Sequence, residues 1–185
     1  MKDAIKVAKE GITFESVLST VNPVFNNTEI QQIKQALNGK PLKVMSVSRY
    51  TDPAFFANEI IKFLEENAKK PFTDPTRVNA IELWTKHDGE PIQKILQACK
   101  KYKVAPMVSF SITTLGNTPL EQGVLEYQTL LQLIEKLIKS GDLDPRTTTI
   151  RIDPILPGYT NMDSIRNVVN IGKSLGIRKY VTSLV

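Results

Sequence analysis

From residue 42 onward, short runs of β-branched residues alternate with longer stretches in which apolar residues recur every three or four positions. A chain with that alternation folds as repeated strand–helix units on a parallel sheet, because joining parallel strands takes a crossover long enough to hold a helix. Five strands are expected, over residues 42–47, 78–84, 105–112, 147–152 and 179–184. After the first, Pro53 opens a helix with Phe56, Ile60, Phe63 and Leu64 at helical spacing, which ends before Pro71 and Pro75. The next helix carries Ile92, Ile95, Leu96 and Cys99 on one stripe. A third spans 125–139, turns Leu130, Ile134, Leu137 and Ile138 inward, and stops at Ser140-Gly141. The fourth buries Ile165, Val168, Val169 and Gly172, with Asp163 as its cap. The first forty residues differ. A weak helix over 1–10, a turn at Asn22-Pro23 and Asn26-Asn27, and a helix over 28–37 closed by Asn38-Gly39 read as an N-terminal helical extension (1–40) that caps the strand–helix domain (41–185).

With 185 residues, 41% of them apolar, the chain has enough material for one buried core. No run approaches the roughly 18 apolar residues of a membrane span, and Met1 to Lys6 lacks the apolar block of a signal peptide, so a cytoplasmic protein without membrane contact is expected. The 24 Lys and Arg against 19 Asp and Glu leave a charge of +5 spread along the chain. That balance permits an anionic ligand and gives nucleic acid only weak support. Cys99 is the only cysteine, so the chain by itself builds neither a disulfide nor a cysteine-ligated zinc or iron–sulfur site. Its place in an apolar stripe reads as core packing.

Parallel strand–helix folds bind ligands at the carboxyl ends of the strands, where loops converge and helix N-termini present unpaired N–H groups. The first strand delivers Ser48, Arg49, Tyr50, Thr51 and Asp52 there, and the second delivers Thr85, Lys86, His87 and Asp88. The third delivers Ser109, Ser111, Thr113 and Thr114; the fourth Arg151 and Asp153 ahead of Pro154; the fifth Thr182 or Ser183. Of these, Ser48, Arg49, Thr51, Asp52, Thr85, Lys86, Ser109, Ser111, Thr113, Arg151 and Asp153 are the candidate ligand-binding residues. Asp52 and Asp153 either orient rim cations or simply cap the turns or helices that begin at Pro53 and Pro154, and Arg49 and Arg151 either face a ligand or pair with those carboxylates. Lys86 supplies a point charge suited to phosphate or carboxylate. His87 has no Ser or Cys nucleophile assigned to it and reads as a loop residue, while Gly158 serves a Pro-Gly turn, since neither dinucleotide nor Walker glycine spacing is present. No catalytic residue and no metal ligand is assigned.

Several of these segments carry a resemblance. Ser48-Arg49-Tyr50-Thr51-Asp52-Pro53-Ala54-Phe55 is similar to the SRRTD-I-PAF-type opening of an uncharacterised bacterial domain family related to radical S-adenosylmethionine (radical SAM) enzymes. Leu83-Trp84-Thr85-Lys86 resembles its FWTKNP segment, and Ile150-Arg151-Ile152-Asp153-Pro154-Ile155-Leu156 its WRYDPIL segment. The stretch from Val108 to Thr114, with Leu120-Glu121-Gln122, resembles the DNA-repair-photolyase and spore-photoproduct-lyase branch, as does Pro154 to Thr160. The likeness spans about residues 42–185. It implies a partial (β/α) TIM-like barrel of about five parallel strands, with S-adenosylmethionine and a [4Fe–4S] cluster at the carboxyl ends of those strands.

The departure is equally specific. The C-x3-C-x2-C loop of the superfamily is absent, Ser48 to Asp52 stand in its place, and Asp88 stands where the family has Asn-Pro. The expectation is therefore a truncated, split or degenerate radical SAM-like domain that binds an anionic or nucleotide-like ligand at its rim. If active, it is a radical SAM-type enzyme that takes its cysteines from another segment or chain. The alternative is a non-catalytic assembly subunit that uses an open sheet edge, since five strands fall short of a closed barrel and call for a second copy or a partner subunit.

Overall fold

The computed structural model describes residues 6–7, 24–40, 42–47, 52–86 and 89–184. Lys6–Val7 (β1) pairs antiparallel with Val44–Val47 (β2), Lys6 opposite Ser46. From β2 the sheet continues in chain order, all parallel, through Ala80–Thr85 (β3), Ala105–Ser111 (β4), Thr148–Ile155 (β5) and Lys179–Leu184 (β6). The five parallel strands are those expected. The strand at Lys6–Val7 corrects the helix expected over residues 1–10 at those positions, because pairing with the edge of β2 satisfies backbone groups that a weak local helical pattern does not. Among the described strands the sheet is open, with β1 and β6 as its two edges.

Five α-helices occur among the described residues. Asn27–Leu37 (α1) starts from a capping box in which the Asn26 side chain accepts from the Glu29 amide (2.9 Å) and the Glu29 carboxylate accepts from the Asn26 amide (2.8 Å). Residues Pro53–Phe56 form a 3-10 turn capped by Asp52, and Ala57–Ala68 (α2) begins only after it. The tighter pitch rotates Phe56 off the buried stripe expected for it, leaving it 36% exposed. Glu90–Tyr102 (α3), Tyr127–Lys139 (α4) and Met162–Ser174 (α5) complete the set. Asn161, not Asp163, caps α5: its backbone is extended and its side chain accepts from the amides of Asp163 and Ser164, which leaves Asp163 in the first turn, paired with Arg166 at 2.6 Å.

Strand–helix–strand connections between parallel neighbours are right-handed, so a sheet that grows one strand at a time in one direction collects its crossover helices on one face. The core follows that rule. Ile60 and Leu64 of α2, Ile92, Ile95, Leu96 and Cys99 of α3, Leu130, Ile134 and Leu137 of α4, and Ile165 and Val168 of α5 pack against Met45, Val47, Ile81, Leu83, Val108, Phe110, Ile150 and Ile152 of the strands. At the lower end of this layer Arg77, 4% exposed, donates to the carbonyls of Asn67 and Ala68 (3.3 Å each) that end α2 and to Tyr102 (3.1 Å) that ends α3, with its guanidinium 4.2 Å over the Phe72 ring.

The intervening strand residues point to the other face. There Phe25, with Ile33 and Leu37 of α1, packs on Val44, Ala80 and Ala105, which begin β2, β3 and β4. α1 thus covers the amino ends of three strands, and it is the only described helix packed on this face. Toward the carboxyl ends the same face carries Ser46, Glu82, Trp84, Ser109, Ser111, Thr149 and Arg151, aligned by register: Ser46 beside Glu82, Trp84 beside Ser109, Ser111 beside Arg151.

Candidate functional site

A sheet that never reverses its strand order has no switch-point crevice of the doubly wound kind, so the polar carboxyl half of the face that carries α1, where no described helix packs, and the loops above it are where a ligand can meet the strands. The most central assembly joins β3 and β5. The Arg151 guanidinium lies 4.4 Å from the centre of the Trp84 ring, and its Nη2 donates to Asp153 Oδ2 at 2.6 Å. Stacking on an aromatic face leaves the edge of a guanidinium available for hydrogen bonding. Asp153 accepts in turn from the Ser183 hydroxyl of β6, so the carboxylate fixes Arg151 from one side and ties two strands together from the other. The Asp153–Pro154 peptide is cis. Ser109 and Ser111 flank Trp84 and Arg151 through the β3–β4 and β4–β5 ladders.

A second assembly lies at the ends of β3 and β4. Lys86 pairs through Nζ with Glu121 Oε1, and the Thr113 hydroxyl donates to Glu121 Oε2. The Glu121 side chain is 16% exposed and that of Lys86 41%, so the ion pair sits at the water boundary. Glu121 is delivered by the segment 112–126, which folds back on itself: the Asn117 amide donates to the Glu121 carbonyl (3.2 Å), the Glu121 amide to the Thr118 carbonyl (3.1 Å), and Thr118 Oγ1 to the Leu115 carbonyl (2.5 Å). Thr114 and Asn117 are left-handed, at φ 61 each, and a side chain on Gly116 would meet the Leu125 carbonyl oxygen at 2.0 Å.

Of the two roles the sequence allows Asp52, the structure shows the cap. Its carboxylate accepts from the Ala54 amide (2.9 Å), from the Thr85 hydroxyl at both oxygens (2.9 Å) and from the Lys86 amide (2.7 Å). It caps the 3-10 turn and staples that turn to the end of β3, with Thr85, 2% exposed, on the helix-covered side. Ser48, Arg49 and Thr51, together with Tyr50, His87 and Asp88, lie outside the described residues.

Two residues of the site were not singled out from the sequence. Glu82 accepts from Ser46 Oγ at 2.8 Å on the polar half of the face that carries α1. Its signal is one acidic residue inside the apolar run Ala80-Ile81-Glu82-Leu83-Trp84, a pattern that marks the face of a strand that helices leave open. Glu121 lies in one of the segments that carry the resemblance, but its pairing leaves no local signal, because Lys86 is 35 residues away. At the opposite, amino end of the sheet a cavity of about 680 Å³ is lined by Lys100, Lys103, Pro106, Asp142, Asp144 and Arg146. Its cations are matched within the chain, Lys100 to Asp142 (3.2 Å), Lys103 to Glu29 (3.6 Å) and Arg146 to Asp144 (2.7 Å).

The described residues hold no group of three His, Cys, Asp or Glu side chains placed to share a metal ion. Cys99 is fully buried in the helix-side core, where burial pushes its thiol from 9.0 up to about 12, far from the chemistry of a thiolate ligand. The residues present therefore do not fit a [4Fe–4S] cluster. No helix among the described residues is long and apolar enough to cross a membrane. No protein-family model matches the chain, and no curated protein matches it.

Proposed function

We propose that this chain is a radical SAM-like domain, a segment of a (β/α) barrel without the iron–sulfur chemistry, that binds an anionic or nucleotide-like ligand at the carboxyl ends of its strands. The observation that carries this reading is the Arg151 guanidinium held 4.4 Å over Trp84 by Asp153. A planar base stacks beside such a pair, and the guanidinium edge and the Ser109 and Ser111 hydroxyls donate to the oxygens of the ligand. Lys86 supplies a second positive charge at the rim. The collection of crossover helices on one face, with the strand ends opening on the other, supports the barrel relationship.

Trp84 is the only tryptophan of the chain, so its fluorescence reads the proposed site directly. Titration with AMP, ATP and S-adenosylmethionine is expected to quench it for at least one of the three. Arg151→Ala is expected to weaken that ligand at least tenfold, about 1.4 kcal/mol, and Lys86→Ala to weaken the phosphorylated ligands selectively. Binding unaffected by both substitutions, or none by calorimetry with any of the three, refutes the reading.

The open edge of β6 favours a second reading, a subunit that assembles through that edge: β6 pairs with β5 alone among the described strands, and Val181 on it is 39% exposed. Light scattering of the purified chain tests it, since a monomer across the micromolar range removes it.

A further inference from the structure

The proposed anion site already holds an anion, and it belongs to this chain. Both oxygens of the Glu121 carboxylate are engaged, one by Lys86 and the other by the Thr113 hydroxyl, at the ends of two adjacent strands. A phosphate or carboxylate of a ligand that reaches Lys86 competes with Glu121 for those two donors. The segment that brings Glu121 there is built for one shape. Its left-handed Thr114 and Asn117, the missing side chain at Gly116, and the hydrogen bonds among Leu115, Asn117, Thr118 and Glu121 hold the carboxylate over the ends of β3 and β4. Its attachment to the rim is weaker than its internal order. Lys86 keeps much of its side chain in water, and part-exposed ion pairs contribute little net stability. The segment also carries Leu120, 53% exposed, so its outer side is not buried in the core.

We infer that segment 112–126 is an internal competitor: Glu121 occupies the Lys86–Thr113 subsite as a resident counter-ion, and an anionic ligand enters by displacing it. This rests on the anion-binding reading of the rim. It makes apparent affinity a difference between two anions for one lysine, so a weak ligand is kept out and a multiply charged one admitted. Nothing in the competition requires a change of the sheet.

The test compares wild type, Glu121→Gln and Lys86→Met, all shown folded by thermal melting, for AMP affinity by calorimetry and for hydrogen exchange at the amides of Asn117 and Glu121. Glu121→Gln is expected to bind AMP at least tenfold more tightly than wild type and to exchange those amides at least tenfold faster. Saturating AMP should speed the same amides in wild type, and Lys86→Met should lose the binding. Glu121→Asp, which keeps the charge but not the reach, should resemble Glu121→Gln in exchange. Wild-type binding that Glu121→Gln leaves unchanged or weakens overturns the competition while leaving the rim reading intact. Failure of wild type and every variant to bind AMP, ATP or S-adenosylmethionine at millimolar concentration removes the rim reading and the competition with it. Binding by Glu121→Gln alone supports both.

Discussion

Replacing Arg77 with Ala probes the joint that holds two helices to the amino side of the core. The guanidinium reaches the carbonyls of Asn67, Ala68 and Tyr102 at 3.1 to 3.3 Å, contacts Lys70 and Lys103 carbonyls as well, and packs on Phe72. These carbonyls belong to the last turns of α2 and α3, where the helix leaves acceptors unpaired and its dipole favours a cation. Leaving a buried acceptor unsatisfied costs about 1–3 kcal/mol, and several are left here. Against this stands the cost of burying the charge: burial pushes the Arg77 pKa down, the Glu29 carboxylate draws it back up, and Nε has no hydrogen-bond partner among the described residues. The offset brings the expected loss to about 3 kcal/mol. For a chain of this size that lowers the melting temperature by about 6–12 °C. Urea unfolding followed at Trp84 should show the midpoint falling with an unchanged slope, and Arg77→Lys should fall between, since an ammonium reaches one helix end but not two. A loss in Arg77→Ala below about 1 kcal/mol would refute the claim that this side chain joins the helix ends.

Two further perturbations test the core from other sides. Helical Gly→Ala ordinarily gains about 1 kcal/mol, but a methyl on Gly172 would meet Tyr180 Oη at 2.5 Å and Ile150 Cδ1 at 2.8 Å, and overpacking costs about 1–3 kcal/mol. Gly172→Ala is therefore expected to destabilise in a urea melt, and a more stable variant would contradict the close approach of α5 to β5 and β6. The Cys99 thiol, raised to about 12 by burial, should react with a thiol reagent at pH 8 only at the rate of unfolding. Because the folded-state value lies above the unfolded one, its contribution to stability is complete below pH 9 and is lost toward pH 12, at about 1.4 kcal/mol per pH unit. Urea midpoints of wild type relative to Cys99→Ala across pH 8 to 11 check this; a constant difference would mean that the thiol is reached by solvent.

The strands and the helix-side stripes were legible because burial imposes a period on the residues themselves: Ile81, Leu83 and Ile92, Ile95, Leu96, Cys99 occupy the core that their spacing implies. The gathering of Arg151, Asp153, Lys86 and Thr113 at strand ends was legible for the same reason, since polar residues begin where the apolar run stops. Partnerships were not. The sequence leaves Asp52 either beside a rim cation or as the cap at Pro53; the cap is what forms, and the Thr85 hydroxyl and Lys86 amide that share its carboxylate are brought to residue 52 only by the fold. β1 carries no signal because two residues have no period, and Asn161 and Asp163 are indistinguishable as caps in sequence because both side chains can serve and backbone angle alone decides between them. Closure of the sheet is likewise beyond local pattern, since the same strand–helix period serves open and closed sheets.

The strand order β1 to β6 also sets how the chain can fold. Every ladder joins neighbours in sequence, Lys6 to Ser46, Val44 to Ala80, Ala80 to Ala105, Val108 to Thr148 and Thr149 to Lys179, so each closes a loop of 25 to 40 residues. Loop-closure entropy varies slowly with length, and across that span it changes by only about 0.4 kcal/mol. No pairing is the costly one that must wait for the rest. Each strand–helix unit can dock on the one before it as soon as it exists, so the sheet assembles by increments along the chain, without a single long-range event as its bottleneck.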